Sequence, residues 1–431
     1  MRTERILAGL TLAAAVALGV PAGLAISAPP SSQEAGPACA LPLESVDTLS
    51  QHNVSNPDTA ADYQIIVFKV QADMRITVSG PYPDSRYFSL EVYDSLGLPF
   101  TENGLGSALA DYRIAPDPGS VNPWQHQAPP GGRFTVTVRP DVTRGQVNTL
   151  PLAPAGTVAG TSGSLYVRMY LAHHNPAQVT LPAVTVTLGG VSTRVSACPS
   201  PSAAAGGLVS AGKGYTAQLA KVDNALRAHG GIVPFLRGAA AAESTPDIND
   251  AYLSAYYNPP GHGEVVVIRG KAPTTPRGSY PSPWPAPGMD LQYWSLCNDV
   301  LQQDVAVVMN PLPGGTTDYG CRYDTQVTLD QHGYYTVVVG TESQHAAIDR
   351  IPGVTFLPLS AADPTGTYVL KFRNTLPGPG FSQAIENVPA NQNPASAAAV
   401  MGPYYPRIAF CPLATLARGG PGACGMSTTT S

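Results

Sequence analysis

An internal duplication limits the folds open to this 431-residue chain more than any other feature of the sequence. Short segments of the first half recur in the second half in the same order. The matched segments are residues 56–59 with 245–250, 74–78 with 265–268, 84–90 with 290–296, 132–138 with 333–339, and 164–170 with 367–373. Because a shared order of this kind rarely arises by chance, we interpret the chain as two diverged copies of one module.

Each matched segment has the two-residue period of a β-strand. Phe88 and Leu90 point to one side of such a strand, while the residues between them point to the other. Trp294 and Leu296 take the same places in the second copy. Gly, Pro, Asn and Asp separate these β-branched and aromatic runs, which favours antiparallel sheets packed face to face. We therefore predict a mostly β protein of two related, jelly-roll-like antiparallel β-sandwich modules.

The composition agrees with β structure and excludes several other classes. The chain has 43 Gly and 44 Pro, and 12% of its residues are charged, against about 25% in average proteins. These values exclude a coiled coil or a helical repeat, and the hydrophobic fraction of 43% excludes a disordered chain. With 24 Lys and Arg against 29 Asp and Glu, the chain has no basic surplus. No nucleic-acid partner is expected.

The first residues have the pattern of a secretory signal peptide. Arg2 and Arg5 precede an apolar run over residues 6–20, Pro21 ends the run, and small residues follow. We predict that residues 1–27 are removed on export and that the protein is secreted or held in the cell envelope. An uncleaved anchor is the alternative, because the run approaches the roughly 20 residues that span a bilayer. It is the only membrane contact that the sequence suggests.

Cysteine usage agrees with export. The chain has six cysteines, and an even number in an exported protein indicates disulfides. Their order along the chain favours the pairs Cys39–Cys198, Cys297–Cys321 and Cys411–Cys424. A zinc site is the competing interpretation, but neither Cys-x-x-Cys nor His-x-x-x-His occurs. We therefore predict no metal site and no cofactor.

These features divide the chain into regions. The first module spans residues 40–198, a Pro, Ser, Ala and Gly-rich linker spans 199–213, and the second module spans 214–400. The tail, residues 401–431, is closed by the third disulfide. The second module starts with a short helix, because Tyr215, Leu219, Val222 and Leu226 are spaced along one helical face and Gly230 follows.

The matched segments carry a resemblance to known families. Asn-Pro-Asp-Thr at 56–59, followed by Arg-Tyr-Phe-Ser-Leu-x-x-Tyr-Asp at 86–94, resembles the bacterial exported proteins called domain of unknown function 1254. Residues 355–358, the strand at 368–373 and Leu376-Pro377 are similar to the partner family, domain of unknown function 1214. The resemblance implies a jelly-roll-like β architecture in a secreted or envelope setting. It implies no catalytic residue, since these families have no agreed reaction.

Aromatic side chains are the candidate ligand-binding residues. They lie in or beside loops rich in Pro and Gly, and they are Tyr256, Tyr257, Trp284, Tyr404 and Tyr405. Flat rings with a hydrogen-bonding edge suit the apolar faces of sugars or lipid-like ligands. The alternative is that these rings fold back over the two cores.

Asp58 and Asp247 are the candidate catalytic carboxylates, because they occupy matching places in the two copies. Each follows a proline in a turn-like stretch, where Asp commonly accepts hydrogen bonds from its own backbone. A structural role is therefore the alternative to acid–base chemistry.

Together these observations predict a non-catalytic binding protein, exported or associated with the envelope, whose ligand is a glycan or is lipid-like. One alternative is an extracellular hydrolase or lyase that acts on envelope polymer, with a carboxylate or histidine site between the modules. The other is a purely structural surface protein.

Overall fold

The computed structural model describes residues 36–51, 53–127, 131–172, 180–199, 212–238, 245–302 and 305–426, all of which belong to one compact unit. The predicted signal peptide and most of the predicted linker, residues 200–211, lie outside these ranges. Within the described residues, no helix combines the length and the apolar character needed to cross a membrane.

The chain is mostly β, and its sheets are largely antiparallel. The strands before residue 200 are β1 (Ala38–Ala40), β2 (Ala61–Lys69), β3 (Arg75–Pro81), β4 (Tyr87–Tyr93), β5 (Thr101–Glu102), β6 (Leu105–Gly106), β7 (Ala108–Ala110), β8 (Arg133–Arg139), β9 (Thr149–Pro151), β10 (Ser162–Tyr170), β11 (Ala183–Leu188) and β12 (Val191–Arg194). The strands after residue 230 are β13 (Ile232–Leu236), β14 (Asp250–Tyr257), β15 (Glu264–Lys271), β16 (Leu291–Val300), β17 (Ala306–Val307), β18 (Met309–Pro311), β19 (Thr317–Tyr319), β20 (Cys321–Tyr323), β21 (Tyr334–Gly340), β22 (Thr355–Pro358), β23 (Tyr368–Pro377) and β24 (Arg407–Pro412).

The first-half strands form two five-stranded sheets, with the orders β1-β2-β10-β4-β7 and β12-β11-β3-β8-β9. We call them the first sheet pair, because apolar side chains from both sheets meet in one core. Phe88 and Leu90 of β4 lie in this core beside Phe134 of β8. The predicted alternation of β4 therefore holds, since its apolar face packs on the opposite sheet.

Most second-half strands form two further sheets, with the orders β13-β14-β23-β16-β17, where β20 also pairs with β16, and β22-β21-β15-β24. This second sheet pair encloses its own core, in which Trp294 packs against Tyr335 of β21 and Phe372 of β23. β18 and β19 form a separate two-stranded hairpin, as do β5 and β6 in the first half. β24, from the predicted tail, is hydrogen-bonded to β15. The sheets depart from a wholly antiparallel arrangement at β8–β9 and β21–β22, which are parallel.

Four α-helices are described. They are α1 (Gly212–Ala228), α2 (Glu342–Ile348), α3 (Pro394–Met401) and α4 (Leu413–Gly419). Val222 and Leu226 of α1 are buried against Val233 and Val369 of the second sheet pair. The chain leaves α1 through Gly230, whose positive φ of 66° suits a residue without a side chain.

All three predicted disulfides are present, and no free cysteine remains among the described residues. Cys39–Cys198 joins residues 159 apart in sequence, whereas Cys411–Cys424 joins residues 13 apart. Cys297 and Cys321 face each other across the β16–β20 pair. Three disulfides indicate an oxidising, extracytoplasmic compartment.

The difference in ring size generates a prediction for stability. On the loop-entropy model, the 159-residue separation restricts the unfolded chain by about 2 kcal/mol more than the 13-residue separation. The double variant C39A/C198A should therefore lose about 2 kcal/mol more of unfolding free energy than C411A/C424A, measured by urea denaturation at equal pH. An equal loss in both variants would show that ring closure does not set these contributions.

Candidate functional site

The two sheet pairs meet at a buried polar surface that is built from the polar faces of their strands. Every residue of β4 and of β16 is buried, because the apolar face of each strand packs in a core and the polar face meets the other sheet pair. We call this surface the polar interface. Its principal members are Asp58, Tyr87, Ser89, Glu91, Arg168, Asp247, Asp250, Tyr293, Ser295 and Arg373.

Asp58 of the first half reaches into the second sheet pair. Its Oδ2 atom accepts hydrogen bonds from the Tyr293 hydroxyl at 2.9 Å and the Ser295 hydroxyl at 2.7 Å. The same oxygen accepts a hydrogen bond from Nη1 of Arg373. Its Oδ1 atom accepts from the backbone amide of Ala60 at 2.9 Å, which fixes the local turn.

Asp247 of the second half makes the reciprocal contacts. Its Oδ2 atom accepts hydrogen bonds from the Tyr87 hydroxyl at 2.7 Å and the Ser89 hydroxyl at 3.5 Å. Nε of Arg168 lies 4.0 Å from it. Its Oδ1 atom accepts from the backbone amide of Asn249 at 2.9 Å. Each aspartate therefore stabilises its own turn with one oxygen and bonds to the opposite sheet pair with the other.

Each buried arginine also has a carboxylate from its own sheet pair. Arg168 donates to Oε2 of Glu91 at 2.9 Å, and Nε of Arg373 lies 3.4 Å from Oδ2 of Asp250. Both guanidinium groups lie over tyrosine rings, Tyr63 for Arg168 at 5.8 Å and Tyr252 for Arg373 at 5.3 Å. A buried guanidinium needs such partners, because its removal from water costs several kcal/mol.

The strand register matches these residues across the two sheet pairs. Arg168 lies opposite Ser89 in the β10–β4 pair, and Arg373 lies opposite Ser295 in the β23–β16 pair. By these pairings Arg168 corresponds to Arg373. The sequence match of residues 164–170 with 367–373 placed Lys371 there instead, so it is displaced by two residues. A two-residue displacement keeps the alternation of faces, which is why the sequence pattern did not reveal it.

A second reciprocal contact crosses the interface. Arg86 donates to Asp324 of the second half, and its Nε donates to the carbonyl of Gly278 at 2.6 Å. In return, the Gln292 amide donates to Oδ2 of Asp111 at 2.9 Å. The Arg86–Asp324 contact is thus an ion pair, whereas the Gln292–Asp111 contact joins an amide to a carboxyl group. Burial raises the pKa of the Asp111 carboxyl to about 7, against the opposing hydrogen bonds from Gln292 and from the backbone amides of Phe88 and Tyr112.

Glu91 and Asp250 are further interface carboxyls with a raised pKa. Burial and the nearby Asp247 raise the pKa of Glu91 well above its usual value, against the opposing effect of Arg168. Burial and the nearby Asp247 raise the pKa of Asp250 to about 8, against the opposing effect of Arg373. The hydroxyls of Tyr170 and Tyr252 donate to its Oδ2 atom at 3.0 and 3.2 Å. Asp250 thus joins Asp58 and Asp247, the two candidate catalytic carboxyls, in one hydrogen-bonded network between the sheet pairs.

Three of the predicted ligand-binding aromatics are packed into the second core or its edge. Tyr257 is fully buried and its hydroxyl donates to Asn298 at 2.7 Å. The Tyr405 hydroxyl donates to the carbonyl of Phe235 at 2.8 Å. Tyr404 packs edge-on against Phe381, with ring centroids 5.0 Å apart.

The other two predicted aromatics lie elsewhere. Trp284 is buried in the apolar cluster between the sheet pairs, and Tyr256 is half-buried beside α1. The five side chains thus belong to three separate packing clusters and do not form one surface. Their role as ligand contacts stays a prediction.

Sequence reasoning missed most of the polar interface. Arg168 and Arg373 were present in the matched segments, and Tyr-x-Ser occurs at 87–89 and again at 293–295. A search for polar residues at matching positions would have found Tyr87, Ser89 and their counterparts. The partners could not have been assigned, because the contacts join residues of opposite sheet pairs that are far apart in the sequence.

A shallow crevice of about 220 Å³ lies on the first sheet pair, away from these residues. Its walls are mainly aliphatic, with Val70, Pro140 and Leu152 among them, and its titratable group is Glu102. Oε2 of Glu102 accepts a hydrogen bond from the amide of Ala155 at 2.7 Å. No member of the polar interface lines this crevice.

Comparison with known proteins gives no functional information. No family model and no curated protein matches the chain. An uncharacterised protein from Burkholderia cenocepacia is similar in structure, with 15% identity, a TM-score of 0.47 and coverage of 84% of this chain and 79% of its own. The VPA0106 protein from Vibrio parahaemolyticus is 12% identical, with a TM-score of 0.38 and coverage of 82% and 89%.

Removal of Asp58 should destabilise the protein more than removal of Asp247. In Asp58→Asn, Arg373 loses the carboxylate that bonds to it directly, and we expect a loss of about 3–5 kcal/mol. In Asp247→Asn, Arg168 keeps Glu91 at 2.9 Å, and we expect a loss of about 1–3 kcal/mol. Equilibrium unfolding in urea measures both values.

Asp141→Asn provides the control for these variants. Asp141 forms ion pairs with Arg75 and Arg139 but is exposed, so its loss should remain below about 1 kcal/mol. A loss in Asp58→Asn as small as in this control would contradict the structural role of the interface.

The raised pKa of Asp111 predicts a pH dependence of stability. An unfolded Asp titrates near pH 4, so between about pH 4 and 7 the folded protein retains a proton that the unfolded chain has released. The protonated Asp111 carboxyl therefore makes its full contribution to the unfolding free energy below the pKa of Asp in the unfolded chain. This contribution is lost as the pH rises through 7, at up to about 1.4 kcal/mol per pH unit.

Asp111→Asn removes this titration. The variant should be less stable overall, because either orientation of the Asn amide places its nitrogen against a donor: the Phe88 amide and Gln292 at one position, or the Tyr112 amide at the other. Its unfolding free energy should nevertheless fall less steeply than that of the wild type between pH 5 and 7. Parallel profiles for the two proteins would show that Asp111 is ionised in the folded state.

Proposed function

We propose that this protein is an exported, envelope-associated binding protein without catalytic activity, and that its ligand is an envelope glycan or is lipid-like. The three disulfides support an extracytoplasmic site of action. Export through a signal peptide at residues 1–27 is part of the proposal, as is membership of the families that the matched segments resemble.

The observation that carries the proposal is the closure of the polar interface. Asp58 and Asp247, the carboxylates suggested for acid–base chemistry, are each 2% exposed and bonded to the opposite sheet pair. General acid–base catalysis needs a carboxyl within hydrogen-bond reach of a substrate. These two carboxyls instead hold the sheet pairs together, which favours binding at the surface loops.

We also propose that the two sheet pairs are jelly-roll-like sandwich modules that arose by duplication. The reciprocal contacts of Asp58 and Asp247 support this, and so does the correspondence of Arg168 with Arg373. The parallel pairs β8–β9 and β21–β22 lie at matching places in the two sheet orders. Phe88 and Trp294 have matching neighbours too, Phe134 and Tyr335, each with ring centroids 5.3 Å away.

The Pro-rich segment 272–290 is the surface best suited to a flat ligand. Among the aromatic residues whose side chains the structure describes, Tyr280 alone is exposed, at 53%. It lies between two points that join its segment to the first half, the carbonyl of Gly278 bonded to Arg86 and the amide of Trp284 bonded to the carbonyl of Trp124. A ring that is held between fixed points loses little freedom on binding.

Tyr280→Ala should weaken binding to the envelope polymer. We would incubate the protein with purified insoluble envelope glycan and, separately, with lipid vesicles, and measure the bound fraction by sedimentation. The wild type should sediment with one of the two, and loss of the ring should reduce affinity about five- to tenfold, as expected for roughly 1–1.5 kcal/mol of stacking. Val191→Ala is the matched control, because it truncates an exposed apolar side chain of β12.

The same incubation separates the other functions. Release of soluble saccharides or of fatty acid, detected by mass spectrometry, would overturn the non-catalytic proposal in favour of a hydrolase or lyase. Absence of sedimentation with every polymer and vesicle would instead leave a purely structural protein. Equal binding by Tyr280→Ala and the wild type would move the contact surface away from segment 272–290.

A further inference from the structure

A second set of chemically reactive side chains lies on the surface of the second sheet pair, apart from the polar interface. It consists of Asp318 on β19 and of Glu342 and His345 on α2. One carboxylate oxygen of each acid and one ring nitrogen of His345 all lie within 4.8 Å of one another. We propose that Asp318, Glu342 and His345 bind one divalent transition-metal ion, with Zn²⁺ as its representative.

The helix brings two of the three ligands together. Glu342 and His345 are three residues apart on α2, so they lie on the same face. Oε1 of Glu342 is 3.3 Å from Nδ1 of His345. These two atoms can therefore share one ion after a small side-chain adjustment, since metal–nitrogen and metal–oxygen bonds are about 2.0–2.2 Å long.

Asp318 supplies the observation that points to a cation. Its side chain is nine-tenths buried, and its Oδ1 atom accepts a hydrogen bond from Nη2 of Arg322 at 2.9 Å. Its Oδ2 atom is buried and has no hydrogen-bond partner. A buried carboxylate oxygen without a donor is unfavourable, and a metal ion at this position would satisfy it while Arg322 holds the other oxygen.

The surroundings of His345 also fit a metal ligand. Its ring lies flat on Phe356, with centroids 3.8 Å apart and planes at 16°. Its Nε2 atom lies 3.3 Å from Oδ2 of Asp349. If Nδ1 binds the ion, the Nε2 proton is donated to Asp349, which is the carboxylate–histidine–metal arrangement that orients many metal-binding imidazoles.

The donor set indicates the class of ion. One imidazole nitrogen with two carboxylate oxygens suits Zn²⁺ and its transition-metal neighbours, whereas Ca²⁺ and Mg²⁺ prefer oxygen ligands alone. Such an ion would connect the β18–β19 hairpin to α2. It would therefore stabilise this edge of the second sheet pair, and its role does not depend on the proposed ligand-binding function.

Calorimetric titration with ZnCl₂ tests the site on the purified protein without a polyhistidine tag. We expect one Zn²⁺ per chain, and an affinity at least tenfold lower in His345→Ala and in Glu342→Gln. The side chains of His345 and Glu342 are 29% and 48% exposed, so both variants should fold. Asp318→Asn should weaken binding likewise.

His332→Ala is the matched control, because His332 is an exposed histidine of the second half whose ring nitrogen lies within hydrogen-bond distance of the Gln331 amide. It should bind Zn²⁺ like the wild type. The thermal midpoint of the wild type should rise with Zn²⁺, and that of His345→Ala should not. Absence of Zn²⁺ binding, equal binding by His345→Ala, or a preference for Ca²⁺ over Zn²⁺ would each overturn the proposal.

Discussion

A guanidinium group can be buried only where anions and other acceptors replace the water that it loses, and this requirement organises the centre of the protein. Arg168 and Arg373 are each 3% exposed. Each has one carboxylate from its own sheet pair and one from the other, Glu91 and Asp247 for Arg168, Asp250 and Asp58 for Arg373. Each guanidinium thus faces carboxyl groups from both sheet pairs, so the buried arginines link the two pairs.

The interface gains its specificity from directional contacts more than from apolar area. Tyrosine hydroxyls, serine hydroxyls and carboxylates accept or donate at defined angles, so a small rotation of one sheet pair would break several bonds at once. Buried ion pairs add little net stability compared with apolar packing, but removal of one partner is strongly unfavourable. The interface is therefore suited to fixing one orientation of the sheet pairs.

The two sheet pairs differ in the group that faces one interface carboxyl. Arg86 pairs with Asp324, whereas the corresponding place opposite Asp111 is taken by the neutral Gln292. The same carboxyl type thus has a cation in one place and none in the other. Burial raises the pKa of both carboxyls; the charge of Arg86 opposes this rise at Asp324, whereas hydrogen bonds from Gln292 and backbone amides oppose it at Asp111.

Sequence reasoning recovered what depends on local order and lost what depends on contacts between distant segments. The alternation around Phe88 predicted its strand and its core-facing side, and the order of the cysteines predicted their pairing. The pattern could not show that the polar face of β4 is buried, because a face toward solvent and a face toward a polar partner have the same alternation. It also could not distinguish Arg373 from Lys371 as the counterpart of Arg168, since both lie on the same side of β23.

The closed interface also bears on the surface that we propose for ligand binding. Arg86 binds the carbonyl of Gly278 with the same guanidinium that pairs with Asp324, so segment 272–290 is tied directly to the charge network. Trp284 is buried a few residues further on, and Tyr280 stands exposed between these two points. The interactions that hold the sheet pairs together therefore also limit the freedom of the one exposed aromatic ring among the described side chains, and a ring held in this way can bind a flat ligand without first being ordered.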